Sequence, residues 1–126
     1  MISVIYILLL FLVSDDIKFL NKDQFYKQIN RNKITVVEFY THWNSHNAVN
    51  DIKSLKNCDV YRVNIEEEVE LKVDYKINVV PTVIIFENGK EKERYEANVM
   101  FQMCPKMFSC NKIQDKVSNI ILEKFR

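Results

Sequence analysis

The sequence predicts an α/β protein with a mixed central sheet and helices on both faces. Segments with the composition of buried strands alternate with segments of helical periodicity, and helices placed between strands favour parallel pairing. The dipeptide Asn88-Gly89 separates two later strand-like runs and is the strongest hairpin signal in the chain, which adds an antiparallel edge. The expected order of elements is β-α-β-α-β-α-β-β-α.

The composition is that of one globular domain. The chain has 126 residues, of which 48% are hydrophobic and 28% charged, so it can form a core and is not expected to be disordered. Its 18 basic and 17 acidic residues give a net charge of +1. Because nucleic-acid binding requires a basic excess, we expect no nucleic-acid partner. The sequence also indicates no cofactor.

The apolar N-terminus is typical of a targeting segment. Residues 1–13 are apolar apart from one serine, and a Ser-Asp-Asp run ends the stretch at residues 14–16. As a helix the stretch would extend about 20 Å, which is shorter than a bilayer core of about 30 Å. We expect residues 1–14 to be a signal peptide or an uncleaved N-terminal anchor, with a buried strand or helix as the alternative, and residues 15–126 to be the domain.

This segment also predicts location. A signal peptide places the protein in the secretory pathway, either in the lumen of the endoplasmic reticulum or secreted. The last four residues, 123–126, are not a retention tetrapeptide. We expect contact with a membrane only through the N-terminal segment, if it stays uncleaved.

The first strand and helix follow. Residues 17–20 are predicted to form a short strand. Asn21 can then cap a helix that runs to about Asn30, because an asparagine side chain accepts a hydrogen bond from a first-turn amide. Phe25 and Ile29 are four residues apart and share one face of this helix.

The second strand is the clearest in the chain. Residues 34–40 are β-branched and aromatic, which is typical of a buried strand. A polar stretch follows at residues 41–47. Apolar residues then recur at helical spacing and predict a short helix that ends near Asn57. These residues are Val49, Ile52 and Leu55.

The third strand is predicted at residues 60–65, where side chains alternate. Three glutamates follow and are expected to open the next helix, since negative charge suits a helix N-terminus. They are Glu66, Glu67 and Glu68. The apolar side of that helix is expected to consist of Val69, Val73 and Tyr75.

The last elements are a hairpin and a helix. Pro81 ends the preceding connection, and a strand is predicted at residues 82–86. Its hairpin partner is expected at residues 92–97. The final helix is amphipathic, with one apolar side edged by a lysine stem. The residues on that side are Ile113, Val117, Ile120, Ile121 and Lys124.

Five local motifs stand in a consistent order along the chain. They are Asp16-Ile17-Lys18-Phe19-Leu20 followed by Phe25, Val37-Glu38-Phe39-Tyr40, Trp43-Asn44-Ser45-His46-Asn47, Val80-Pro81-Thr82 and Phe86-Glu87-Asn88-Gly89. Together with the element order, they resemble the thioredoxin superfamily, and most closely the catalytic domains of protein disulfide isomerases. The resemblance implies a thioredoxin-like fold.

The resemblance also shows a departure at the active-site motif. Protein disulfide isomerases have Trp-Cys-Gly-His-Cys where this chain has Trp43, Asn44, Ser45, His46 and Asn47. Thiol–disulfide exchange needs a thiolate and a second, resolving thiol, and an amide can supply neither. The motif is therefore degenerate and has no catalytic residue, which favours a protein that is not an enzyme. Asparagine at the first of these positions can still cap a helix.

The resemblance implies a retained surface for polypeptide. Its residues would be Trp43, Val80 and Pro81, with an unfolded chain or a partner protein as ligand. The resemblance implies a cis bond before Pro81, which leaves the preceding backbone open to a peptide strand. Trp43 would anchor such a ligand if exposed, and would be core if buried. His42 and His46 are four apart but have no acidic or cysteine neighbour, so we expect no metal site.

One acidic residue and the three cysteines are the remaining candidates for a functional site. Glu38 is expected to be a buried acid; without an active-site cysteine to serve, it would pair with Lys33 or a water molecule, or be a relic of the family's chemistry. Cys104 and Cys110 could form a structural disulfide, remain reduced and buried, or form a redox pair. Cys58 is expected to be a packing residue.

Three functions remain open on these grounds. The favoured one is a redox-inactive, isomerase-like thioredoxin domain of the secretory pathway that binds unfolded chains or a partner protein. The second is a thiol–disulfide oxidoreductase or isomerase that uses Cys104 and Cys110, or Cys58. The third is a structural subunit that an uncleaved N-terminal segment holds at a membrane.

Overall fold

A five-stranded mixed sheet organises the molecule. The computed structural model describes residues 17–43, 52–97 and 110–125, with the side chains of 110 and 111 left out. The described elements are β1 (Lys18–Phe19), α1 (Lys22–Ile29), β2 (Ile34–Tyr40), a 3₁₀ turn (Ile52–Ser54), β3 (Asp59–Asn64), α2 (Val69–Asp74), β4 (Thr82–Glu87), β5 (Lys90–Glu96) and α3 (Cys110–Glu123).

The central strand β2 is buried at all seven positions. It pairs in parallel with β3, where Val36 lies opposite Val60, and antiparallel with β4, where Val36 lies opposite Ile85. The short β1 extends the parallel part beyond β3, and β5 extends the antiparallel part beyond β4. This mixed sheet confirms the predicted fold class.

Helices cover both faces of the sheet. On one face, α1 contributes Phe25 and α2 contributes Leu71 to a core that includes Phe39 and Phe86 of the sheet. The Phe25 ring centroid lies 5.9 Å from that of Phe39 and 5.5 Å from that of Phe86. Tyr75 joins this cluster, where burial raises its pKa to about 12.

On the other face, α3 packs its apolar side against β2 and β4. Ile113, Val117 and Ile120 are buried there, as the periodicity of the last helix predicts. Ile52 and Leu55 cover the remainder of this core. Within the part of the chain described above, no helix is long and apolar enough to cross a bilayer.

Helix α1 begins at the predicted cap. The Asn21 side chain accepts a hydrogen bond from the Gln24 amide at 2.9 Å, and the Gln24 side chain accepts one from the Asn21 amide at 3.0 Å. This reciprocal pair is a capping box and satisfies two of the amides that a helix start leaves without intrahelical partners.

The Asn88-Gly89 hairpin is confirmed and also contacts α1. Both residues have positive φ, 53° and 83°, which suits the two-residue loop between Glu87 and Lys90. The Gly89 amide donates a hydrogen bond to the carbonyl oxygen of Ile29 at 2.7 Å, at the end of α1. A Cβ at Gly89 would lie 2.3 Å from the side-chain oxygen of the exposed Asn30, which can move aside, so it is the positive φ that favours glycine here.

Helix α2 departs from the prediction. It begins at Val69 and not at Glu66, and Val69 and Val73 are 56% and 68% exposed. Leu71 is the residue that α2 buries. Because Val69 and Val73 are four apart, they share one face, and in a helix of six residues Leu71 alone turns toward the sheet.

The short helix predicted to end near Asn57 also departs from the prediction in the residues that the structure describes. Residues Ile52–Ser54 form a 3₁₀ turn. Ile52 and Leu55 are both buried, and three residues per turn brings positions i and i+3 to the same side. Val49, the remaining residue of that pattern, lies outside the described residues.

The glycine of the hairpin provides a test of this framework. We expect Gly89→Ala to destabilise the protein by about 1–2 kcal/mol, the cost of a left-handed conformation for an L-residue. Urea unfolding of the full chain measures the change. The control is Lys90→Ala, an exposed change in the same hairpin, which should stay within about 0.5 kcal/mol. Equal unfolding midpoints for Gly89→Ala and the parent would contradict the left-handed conformation of Gly89 in this turn.

Candidate functional site

The candidate site lies where β2 and β3 end and β4 begins. Parallel strands place their carboxyl ends at one edge of a sheet, and ligands of α/β proteins commonly bind at that edge. Thr41 and Trp43 follow β2, and Ile65 follows β3, whereas Pro81 directly precedes the antiparallel β4. The fold therefore brings Trp43 and the Val80–Pro81 segment to the same edge.

A groove of about 310 Å³ opens between these segments, and we call it the tryptophan groove. Its lining residues are Thr41, Trp43, Ile65, Glu66, Val69, Lys72, Ile77, Asn78, Val79 and Val80. The Trp43 side chain is 61% exposed, whereas Ile65, Ile77 and Val80 are buried. The groove thus has an apolar floor and an exposed indole at its rim.

The wall formed by residues 79–82 is held by hydrogen bonds. The Val80–Pro81 peptide bond is cis, as the resemblance implies. The Thr82 hydroxyl donates to the carbonyl oxygen of Val79 at 2.7 Å, and the Ala97 amide donates to the carbonyl oxygen of Pro81 at 3.0 Å. These bonds tie the wall to the ends of β4 and β5.

A second groove of about 290 Å³ lies beside the first, and we call it the acidic groove. It is lined by Phe19, Leu20, Asn21, Gln24, His42, Asn64, Glu67 and Glu68. Sequence reasoning missed it, because its walls come from four separate segments. The three consecutive glutamates are the signal in the sequence that could indicate an acidic groove, but their pattern predicts a helix N-terminus instead.

Asn64 shapes the acidic groove. Its side-chain oxygen accepts a hydrogen bond from the Glu66 amide at 3.0 Å, and its carbonyl oxygen accepts from the amides of Glu67 and Glu68. The Glu68 carboxylate in turn accepts from the Lys22 amide at the start of α1, at 3.2 Å. The turn after β3 therefore directs Glu67 and Glu68 to the acidic groove and Glu66 to the tryptophan groove. Glu68 is also the N-cap residue of α2, but its side chain makes no cap hydrogen bond.

Glu38 is fully buried, as expected, but its partner differs from the predicted one. Its carboxylate accepts a hydrogen bond from Arg62 Nε at 2.7 Å. Lys33 forms an ion pair with Asp59 instead, so the expected pairing of Glu38 with Lys33 is wrong. The register explains this result, because Glu38 and Arg62 lie directly opposite each other on the parallel strands β2 and β3.

Cys58 is half-buried against the core beneath α3. Burial raises the pKa of its thiol to about 11. A thiol with this pKa is almost entirely protonated at neutral pH and is a poor nucleophile. Cys58 lines neither groove, which agrees with its expected role in packing.

Several sequence candidates lie outside the described residues. They are the N-terminal segment 1–14, the motif residues Asn44, Ser45, His46 and Asn47, and Cys104; of Cys110 only the backbone is described. The grouping of His42 with His46 is outside the description for the same reason. Among the residues that are described, no cluster of histidine, cysteine and acidic side chains could hold a metal ion.

Comparisons with known proteins point to one family. The family model "Thioredoxin" matches residues 16–104. A thioredoxin of Mycoplasma pneumoniae is 42% identical over 33 residues, which cover 26% of this chain and 32% of that protein. A thioredoxin of Mycoplasma genitalium is 28% identical over 68 residues, which cover 49% of this chain and 67% of that protein.

Solved structures agree on the fold. A mutant thioredoxin from Halobacterium salinarum superposes with a TM-score of 0.67 at 14% identity, covering 83% of this chain and 90% of that one. The thioredoxin of Trypanosoma brucei brucei gives a TM-score of 0.65 at 16% identity, covering 85% and 92%. At such low identities the superpositions establish a shared fold, and the function has to be argued from the residues of the site.

The buried ion pair gives a prediction about stability. Arg62→Met should destabilise the protein by about 3–5 kcal/mol, because it leaves the Glu38 carboxylate buried without its partner. Glu38→Leu with Arg62→Met should recover a large part of that loss, since no buried charge remains. A double-mutant cycle by urea unfolding measures the coupling. Strictly additive single changes would show that the two side chains do not interact.

The Cys58 thiol gives a prediction about reactivity. In a Cys104→Ser/Cys110→Ser variant, Cys58 is the sole thiol, and its alkylation by iodoacetamide at pH 8 should be roughly a hundredfold slower in the folded protein than in urea. The reason is that burial raises its pKa from 9.0 to about 11. The folded-state rate should keep rising up to about that pH. Equal rates in the folded and unfolded states would show an accessible, reactive thiol.

Proposed function

The chain belongs to the thioredoxin family, and we propose that it is a redox-inactive, protein-disulfide-isomerase-like member that binds unfolded chains or a partner protein. In this proposal the tryptophan groove is the binding site. The polypeptide is held by apolar contact, and no bond to sulfur is made or broken.

The observation that carries the proposal is the shared location of Trp43 and Val80. The two residues belong to motifs far apart in the sequence, yet they line one groove. An exposed tryptophan beside buried aliphatic side chains offers a large apolar contact area, and tryptophan is enriched among the residues that dominate binding energy at interfaces. An extended polypeptide with an apolar side chain is the ligand that such a surface suits.

The chemistry of the neighbouring residues supports binding without catalysis. In sequence, Asn44 follows Trp43 directly, and Asn47 takes the position of the second cysteine of the isomerase motif. Neither amide can ionise to a nucleophile or form a disulfide. Cys58, with a pKa of about 11, is poorly suited to replace them. Thiol–disulfide exchange would need a reactive thiolate that Asn44, Asn47 and Cys58 are poorly suited to supply, whereas polypeptide binding needs none.

The secretory location is part of the proposal and rests on the sequence. The apolar run of residues 1–13 supports a signal peptide or an anchor. The Val37-Glu38-Phe39-Tyr40 strand and the position of His46 support the isomerase branch of the family. A protein of that branch without active-site cysteines would meet unfolded chains while they cross or leave the endoplasmic reticulum.

Trp43 is the only tryptophan in the chain and reports on the groove by its own fluorescence. We expect a carboxymethylated, tryptophan-free unfolded polypeptide to shift the emission of the full-length protein to shorter wavelength in a saturable manner, because it covers an indole that is 61% exposed. By anisotropy of a labelled polypeptide, Trp43→Ala should weaken binding at least about tenfold, as for a tryptophan that dominates an interface.

The matched control is Leu122→Ala. Leu122 is 57% exposed on α3 and does not line the groove, so its truncation removes comparable apolar surface elsewhere. We expect this variant to bind like the parent. Equal losses in both variants would indicate non-specific apolar adhesion, and unchanged binding in Trp43→Ala would place the site elsewhere.

A further inference from the structure

We propose that the acidic groove holds a lysine or arginine side chain of the same polypeptide whose apolar side chain occupies the tryptophan groove. This inference rests on the proposed function and specifies the class of partner: a segment that presents an apolar residue and a basic residue close together. It follows from the charges, the unpartnered polar atoms and the position of the second groove.

The charge of the acidic groove is of one sign. Glu67 and Glu68 line it, and none of its described lining residues is a lysine or an arginine. Two cations on the adjoining elements form ion pairs outside the groove, since Lys22 pairs with Glu70 and Arg62 pairs with Glu38. The groove therefore presents carboxylates to an incoming cation.

A buried amide beside these carboxylates requires an acceptor. Asn64 is only 5% exposed, and its side-chain nitrogen has no hydrogen-bond partner among the residues described. Thr41, which lines the neighbouring groove and is 4% exposed, has an unpartnered hydroxyl in the same part of the structure. A buried donor without an acceptor is costly. Asn64 lines the groove, and a small adjustment of its side chain would bring its amide nitrogen to a peptide carbonyl oxygen. A bare metal ion could not satisfy this donor, because it accepts no hydrogen bond.

The rings of Phe19 and His42 also line the acidic groove. Phe19 is 46% exposed, and its ring centroid lies 5.4 Å from that of Tyr40 and 6.4 Å from that of His42. Such a surface suits the aliphatic stem of lysine or arginine, and a ring face attracts the charged head. The groove thus combines apolar, anionic and hydrogen-bond-donating groups, which together match a basic residue within a peptide.

The two grooves are close enough to share one ligand. Thr41 and Trp43 line the tryptophan groove, while His42, which lies between them in sequence, lines the acidic groove. Likewise Glu66 lines the first groove and Glu67 the second. A single extended segment that crosses this boundary would therefore contact both.

The test uses three tryptophan-free peptides with one apolar core and a flanking lysine, glutamine or glutamate. Each is titrated into the full-length protein while Trp43 emission is followed. We expect the lysine peptide to bind at least about fivefold more tightly than the glutamine peptide at low ionic strength, and the glutamate peptide to bind most weakly. The preference should shrink in about 0.5 M salt, where exposed charges are screened within a few ångströms.

Two matched variants test whether the preference for the lysine peptide arises in the acidic groove. Glu67→Gln should reduce the preference for the lysine peptide over the glutamine peptide by at least about half of its free energy. Glu123→Gln, which neutralises an exposed acid on α3, should retain the full preference. Circular dichroism of both variants confirms that they fold like the parent.

The possible failures are distinguishable. If all three peptides bind with equal affinity, or if the lysine preference survives Glu67→Gln undiminished, the inference is overturned and the proposed binding function stands. If none of the peptides shifts Trp43 emission, the proposed function fails, and this inference fails with it.

Discussion

The complete burial of β2 is the constraint on which the rest of the structure depends. All seven residues from Ile34 to Tyr40 are enclosed, so both faces and both edges of this strand must be covered at once. A shift of one residue would exchange the two faces and move the buried Glu38 carboxylate away from Arg62. The hydrogen bond between Glu38 and Arg62 fits a single alignment of β2 with β3.

The position of the proposed binding surface follows from this alignment. Once β2 and β3 are in register, Trp43 and Asn64 emerge at the same edge, and the hydrogen-bonded wall before β4 closes the tryptophan groove from the other side. None of the described lining residues of either groove is a cysteine. A thioredoxin-family framework can therefore keep a polypeptide-binding edge after the chemistry of the isomerase motif has been lost, which is the account that we favour for this chain.

Much of the fold could be predicted from local sequence, because several elements depend on neighbouring residues. The bounds of β2, the cap at Asn21 and the Asn88-Gly89 turn are examples of this kind. The partner of Glu38 could not be predicted, since it depends on the register with Arg62, in another strand. The exposed side of α2 was assigned incorrectly because a helix of six residues offers too few positions to define a periodicity, and tertiary packing of Leu71 decides its orientation.

Thiol exchange is the most direct test of a binding role without catalysis. The measurement is the reduction of insulin by dithiothreitol, followed by turbidity, with three full-length proteins: the parent, a Cys58→Ser/Cys104→Ser/Cys110→Ser variant and an Asn44→Cys/Asn47→Cys variant. The account predicts no acceleration by the parent or the cysteine-free variant, and acceleration by the variant in which Cys-x-x-Cys follows Trp43. Acceleration by the parent that the cysteine-free variant loses would contradict it.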